Sequence, residues 1–163
     1  MAVVQVQRTL WMAMATSPVI MFIVTLVIEP ASAAEPAMAL VLAGIAVGLA
    51  VASLTLPSRL VADRIGGLEL KLEGSFGERT IREDPDDVIR RASSAFMTAF
   101  LISVSLAEAI AILGVVAAFL GFAVTLYLPF LAFGFILILV RFPRYETMVK
   151  QVETAAGARF GPR

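Results

Sequence analysis

Four long apolar blocks decide what this chain can fold into. They run at about 10–28, 37–56, 95–120 and 122–140. A helix needs roughly 20 apolar residues to cross the hydrocarbon core of a bilayer, and each block comes close to that length. Backbone groups in lipid must be bonded within a helix or a closed barrel, and no block alternates as barrel strands do. The expected fold is therefore all-α: an integral membrane four-helix bundle forming one domain over 1–163. Composition agrees, with 60% hydrophobic residues and a mean hydropathy of +0.91. A soluble domain averages about 45–50% apolar residues. With lipid as the solvent, no soluble-type core is expected.

The charges orient the bundle. The 13 basic residues balance 13 acidic ones, but their placement is uneven. Arg8 precedes the first block. Arg59, Arg64, Lys71, Arg79, Arg82, Arg90 and Arg91 lie between the second and third blocks, and Arg141, Arg144, Lys150, Arg159 and Arg163 follow the fourth. The 29–36 connection holds Glu29 and Glu35 and no base, and the turn between the last two blocks holds no charge. By the positive-inside rule, both termini, the 57–94 loop and the 141–163 tail are cytoplasmic, as an even number of spans requires. The expected location is a bacterial inner (cytoplasmic) membrane. Arg8, the first apolar run and Ala31-Ser32-Ala33 resemble a signal peptide, but the run exceeds the usual core of about 7–15 residues, so a retained helix is expected.

Boundaries follow from local signals. The third and fourth blocks nearly merge; Gly121 is one candidate turn. Pro129 is another, which would leave a short re-entry at 121–128 and a shorter last helix. In the loop, 58–64 can extend the second helix until Gly66 and Gly67 stop it. Residues 68–73 alternate apolar with charged, the pattern of a short half-exposed strand, and Gly74 and Gly77 bracket a turn. Asp84 fits an N-cap, Pro85 the first helical position, and Asp86 and Asp87 the positive helix end. The third helix should thus start near Pro85 and run unbroken into the membrane. A short surface helix is expected in the tail up to Ala155 or Ala156, with a loose end from Gly157.

The chemistry on offer is narrow. The chain has no Cys and no His. Zinc sites built on those ligands, thiol nucleophiles, Ser-His-Asp triads and histidine-ligated haem are excluded. The glycines at 66, 67, 74 and 77 precede no Gly-Lys-Ser/Thr and make no phosphate loop. The loop's bases are interleaved with acids, so no nucleic-acid partner is expected.

Glu108 stands out, because an ionisable residue near the middle of a span is expensive and has a partner or a task. Ser94, Thr98, Leu101 and Ser105 share its side of a helix, a weakly polar stripe leading inward from the cytoplasmic end. Ser105, one turn before Glu108, is placed to hydrogen-bond it. Lipid disfavours the charged carboxylate, which suits a reversible H⁺ or Na⁺ ligand. Equally, a neutral carboxyl can be interhelical glue. Gly44 and Gly48, with Ala52 continuing the spacing, form a smooth face where another helix, the third or one from another subunit, can approach closely. Trp11, Arg141 and Tyr145 read as interfacial anchors at the headgroup level.

Two stretches resemble a known family. Residues 107–120, Ala-Glu-Ala-Ile-Ala-Ile-Leu-Gly-Val-Val-Ala-Ala-Phe-Leu, resemble the carboxylate-bearing second helix of the proteolipid c subunit of rotary ATP synthases. The small-residue run at 42–53 resembles, more weakly, that family's glycine-rich first helix. The resemblance implies a helical hairpin whose carboxylate, here Glu108 with Ser105 as a neighbouring ligand, binds H⁺ or Na⁺. The 57–94 loop replaces the family's short polar connection, and an extra helix flanks the pair on each side. The chain therefore reads as a small four-span bacterial protein with a c-like helix, not as a rotor subunit. The expected function is a non-enzymatic accessory or structural subunit of a larger membrane complex, partnered by lipid and by other subunits or by itself. The alternative is a proton- or sodium-binding component acting through Glu108, with no other cofactor.

Overall fold

The third apolar block forms the centre of the molecule. A computed structural model describes residues 2–27, 29, 35–74 and 79–161. The Ala31-Ser32-Ala33 signal, Gly77 and Arg163 lie outside the described residues. Among those described, the order is α1 (Ala2–Val27), α2 (Pro36–Gly66), β1 (Leu72–Glu73), β2 (Thr80–Ile81), α3 (Pro85–Arg91), α4 (Ser93–Phe119), α5 (Val124–Val140), α6 (Tyr145–Ala156) and β3 (Arg159–Phe160). Among the described residues the regular structure is thus helical apart from three two-residue strands. Helix α4 packs against α1, α2 and α5. It buries Phe96, Phe100, Val104, Ala107, Ile110, Ala111 and Ala117, facing neighbours on several sides.

Helices α1, α2 and α4 are long and apolar enough to cross a membrane. The 17 residues of α5 reach that standard only together with α6, from which α5 is bent by 79°. Helix α2 runs through Pro57 and carries its buried residues as Leu42, Ala46, Ala50, Ser53, Pro57, Val61 and Ile65, steps of three or four that keep one stripe inward. The first helix starts at Ala2, several residues before its apolar block.

Gly121 makes the turn between α4 and α5. Its φ is +83°, a left-handed conformation that glycine adopts without strain. Phe122 N–H donates to Ala117 O at 3.1 Å and Gly121 N–H to Ala118 O at 3.0 Å, which satisfies the last carbonyls of α4. The turn falls here and not at Pro129, which lies inside α5. Pro129 lies in the second turn of α5, where it forfeits the single bond its N–H would make to the Thr125 carbonyl.

Four sequence expectations outside the long apolar helices are corrected. The helix beginning at Pro85 is not continuous: Asp84 caps α3 by accepting from Asp86 N–H at 3.3 Å, but the helix breaks at Ala92, with φ −85° and ψ 4°. That bend keeps Val88 and Ile89 in an apolar cluster outside the bundle while α4 takes the bundle's direction. The chain after Gly157 is not loose. Gly157 has φ +58° and turns it back, so that β3 pairs in parallel with β2, itself antiparallel to β1. A core also exists beyond the long apolar helices, named the water-side core for the place the expected topology gives it: Val61, Ile65, Ile81, Val88, Ile89, Met148, Val152 and Ala158 are buried together with Val4 and Phe96. Loop and tail are each too short to bury a core, and together they build one. The strand in the loop is shorter than 68–73, covering Leu72–Glu73 alone.

Two further apolar layers lie within the bundle. Ala46, Ala50, Phe100, Val104, Ala107, Ile110, Leu137 and Ile138 form one. Leu42, Ala111, Ala117, Ala118, Tyr127 and Leu131 form the other. Their order shows α1 and α4 running one way and α2 and α5 the other. The starts of α1 and α4, the end of α2 and the helix after α5 all meet in the water-side core.

Candidate functional site: polar ties through the bundle

Polar side chains in an apolar bundle must find partners, since lipid offers none. Here Thr16, Thr25 and Thr55 bond carbonyls of their own helices, and others find partners between helices. Glu108 lies mid-way along α4, half-buried, and its Oε1 accepts a hydrogen bond from Ser17 Oγ at 2.5 Å. Ser17 belongs to α1, so the bond joins two parallel helices at mid-depth. Ser105 is not the partner. It is exposed, as are Ser94, Thr98 and Leu101, so the weakly polar stripe faces out of the bundle. A step of three residues leaves a helical offset of about 60°, enough for Glu108 to turn toward α1 while Ser105 stays outside.

Near the other end of the same interface, Gln7 is only 2% exposed and donates to Phe96 O at 3.1 Å. Between α2 and α4, the fully buried Ser53 donates to Ser103 O at 3.0 Å. Arg141, at the end of α5, donates to Ser53 O at 2.5 Å and so joins α5 to α2. Trp11 Nε1–H donates to Ile138 O at 2.7 Å, and its ring meets Phe142 edge-on with centroids 5.1 Å apart. The Arg8 guanidinium lies 5.4 Å from the Phe142 ring centroid. Tyr145 donates to Asp86 Oδ1 at 2.7 Å, joining the first turn of α6 to α3. The three residues expected as headgroup anchors thus each make a tie within the protein as well. Burial lowers the pKa of Arg141 below the ordinary arginine value.

Gly44 and Gly48 are exposed, and a Cβ built on either would meet nothing within 4 Å. Ala52 is half-buried beside them. Among the described residues, no other helix of the protomer approaches either glycine. The glycines that hold helices close are Gly114 and Gly134. A Cβ at Gly134 would stand 2.8 Å from Ala107 O and from Ala111 N, and one at Gly114 would stand 2.9 Å from Leu131 Cγ and 3.0 Å from Tyr127 O. Sequence reasoning passed over both, because one glycine per helix makes no repeat. It also passed over Gln7, Ser17 and Ser103, whose only signal is a polar residue in or beside an apolar block.

A cavity of about 490 Å³ opens where the bundle meets the water-side core, lined by Gln7, Phe100, Ser103, Leu139, Arg141 and Arg144 among others. Among the described residues, no group of three or more carboxylates stands ready to hold a metal ion. Comparison with known protein families, with curated proteins and with solved structures finds no match.

Proposed function

We propose that the chain is a non-enzymatic, four-span accessory or structural subunit of a larger complex in a bacterial inner membrane. Both termini and the 57–94 and 141–163 segments are cytoplasmic in this reading. The shared water-side core supports it, since loop, tail and the start of α1 must then lie on one side. The described basic residues cluster at that end, and Glu29 and Glu35 lie at the other.

The observation that carries the accessory role is the outward Gly44–Gly48 face. A glycine inside a helix costs about 1 kcal/mol relative to alanine. Gly114 and Gly134 offset that cost by letting α4 and α5 touch. Gly44 and Gly48 do nothing comparable within the protomer, and their four-residue spacing suits a helix from another chain. The test is gentle extraction of tagged protein from its native membrane, with native mass determination and identification of co-purifying chains. A discrete complex with unlike subunits is expected, and it should be lost in the double variant Gly44→Leu/Gly48→Leu. Recovery of lone protomers would refute the accessory role.

The juxtaposition of Ser17 Oγ and Glu108 Oε1 favours one second reading, in which two oxygens at mid-depth hold H⁺ or Na⁺. Reaction of Glu108 with a hydrophobic carbodiimide, suppressed by Na⁺ or by high pH, would support it. Reaction indifferent to both would leave Glu108 as a tie between helices.

A further inference from the structure

The cavity at the foot of the bundle combines unpaired positive charge with an apolar wall. Arg141 and Arg144 line it just beyond the end of α5. Phe100 of α4 and Leu139 of α5, both from the apolar blocks, line it as well. Among the described residues neither guanidinium is paired with a carboxylate. Arg141 commits one nitrogen to the Ser53 carbonyl, a dipole that leaves the positive charge unneutralised. A half-buried cation without a counter-charge is unfavourable, and burial already weakens its hold on the proton. The site thus wants an anion, and it sets that charge beside an apolar wall.

We propose that this cavity binds one anionic phospholipid, its phosphate between Arg141 and Arg144 and an acyl chain along Phe100 and Leu139. Guanidinium groups suit phosphate because they present several N–H donors in a fixed plane. Basic pockets on the cytoplasmic side of a bundle are the expected place for such a headgroup. The inference rests on the membrane reading of the chain and not on any partner subunit.

The experiment is native mass spectrometry of the full chain in mild detergent, titrated in turn with phosphatidylglycerol, phosphatidylcholine and inorganic phosphate. One phosphatidylglycerol should bind per protomer, about tenfold or more tighter than phosphatidylcholine, as one charge-assisted contact allows. Arg144→Gln should remove most of that preference; it leaves the Arg141–Ser53 tie in place, so its folding is not at stake. Lys150→Gln, which removes an equal charge from α6 outside the cavity, should keep the preference. Equal binding of the two lipids would overturn the site. So would an effect of Lys150→Gln as large as that of Arg144→Gln, which would indicate diffuse surface charge. Inorganic phosphate that binds alone and displaces the lipid would make a free anion the occupant and overturn the lipid assignment.

Discussion

Glu108 and Ser17 show how a single polar pair can shape a bundle in lipid. A hydrogen bond between membrane helices is worth about 0.6 kcal/mol on average and up to about 1.7 kcal/mol. Glu108→Gln keeps an acceptor oxygen for the Ser17 hydroxyl, whereas Glu108→Ala removes it. As a tie, the glutamine variant should unfold in detergent within a few tenths of a kcal/mol of the parent, and the alanine variant about 1 kcal/mol earlier. As an ion ligand, Glu108 in the parent should label with carbodiimide in a Na⁺- and pH-sensitive way, and both variants, which lack the carboxyl, serve as blanks. Equilibrium unfolding and labelling on the same samples separate the two roles. A similar contrast applies at Trp11: Trp11→Phe preserves an aromatic ring against Phe142 but loses the bond to Ile138 O. A loss of about 0.5–1.5 kcal/mol in unfolding free energy is expected. Glu108 is legible in the sequence because a charge inside an apolar run is conspicuous. Its partner is not, because the choice of Ser17 over Ser105 depends on how α1 is set against α4. For the same reason the ties made by Trp11, Arg141 and Tyr145 are not legible in the sequence, where all three read only as amphipathic residues near span ends.

At the scale of the element, closeness between helices is governed by where backbone meets backbone. The α4–α5 contact depends on Gly134 and Gly114, and the atoms facing Gly134 include main-chain atoms of α4 that cannot step aside. Gly134→Ala should therefore destabilise the protein by about 1–3 kcal/mol, despite the higher helix propensity of alanine. Gly44→Ala and Gly48→Ala meet open space in the protomer and should be neutral or stabilising by up to about 1 kcal/mol when the isolated chain is unfolded. A Gly134→Ala variant as stable as the parent would show that α4 and α5 are not so closely apposed. The regular spacing of Gly44 and Gly48 draws the eye in the sequence, and the isolated Gly114 and Gly134 do not. A packing glycine is defined by its neighbour across the interface, which lies elsewhere in the chain. Termini were more legible: Asp84 with Pro85 marks the start of α3, Gly66 the end of α2 and Gly121 the turn after α4, because each acts on its own backbone. The break at Ala92 carries no proline or glycine and follows from the packing of Val88 and Ile89 beneath it.

For the whole molecule the question is whether α5 crosses the membrane. Its 17 residues give a length of about 26 Å, slightly short of a hydrocarbon core of roughly 30 Å. Arg141 follows directly and is bonded to Ser53, which lies well before the end of α2. An arginine held at that depth can reach the headgroups, and a thinner local bilayer costs only fractions of a kcal/mol per Å. On the proposed four-span topology the 79° bend lays α6 across the membrane surface, with Met148 and Val152 turned into the water-side core. That core was the least legible part of the fold. The alternation near Leu72, the apolar residues of α6 and the Val4 end of α1 each look like minor surface features, and they form a core only when loop, tail and N-terminus meet on one side. Because the chain contains no cysteine, single cysteines report sidedness without background. Cysteines replacing Asp63 and Lys150 should resist a membrane-impermeant maleimide in intact spheroplasts and react after lysis, whereas one replacing Glu35 should react in intact cells. Asp63 and Lys150 must behave alike, since α2 and α6 contribute to one core. Labelling of Lys150→Cys but not Asp63→Cys from outside would mean that α5 does not return the chain to the cytoplasm, and the four-span topology would fall with it.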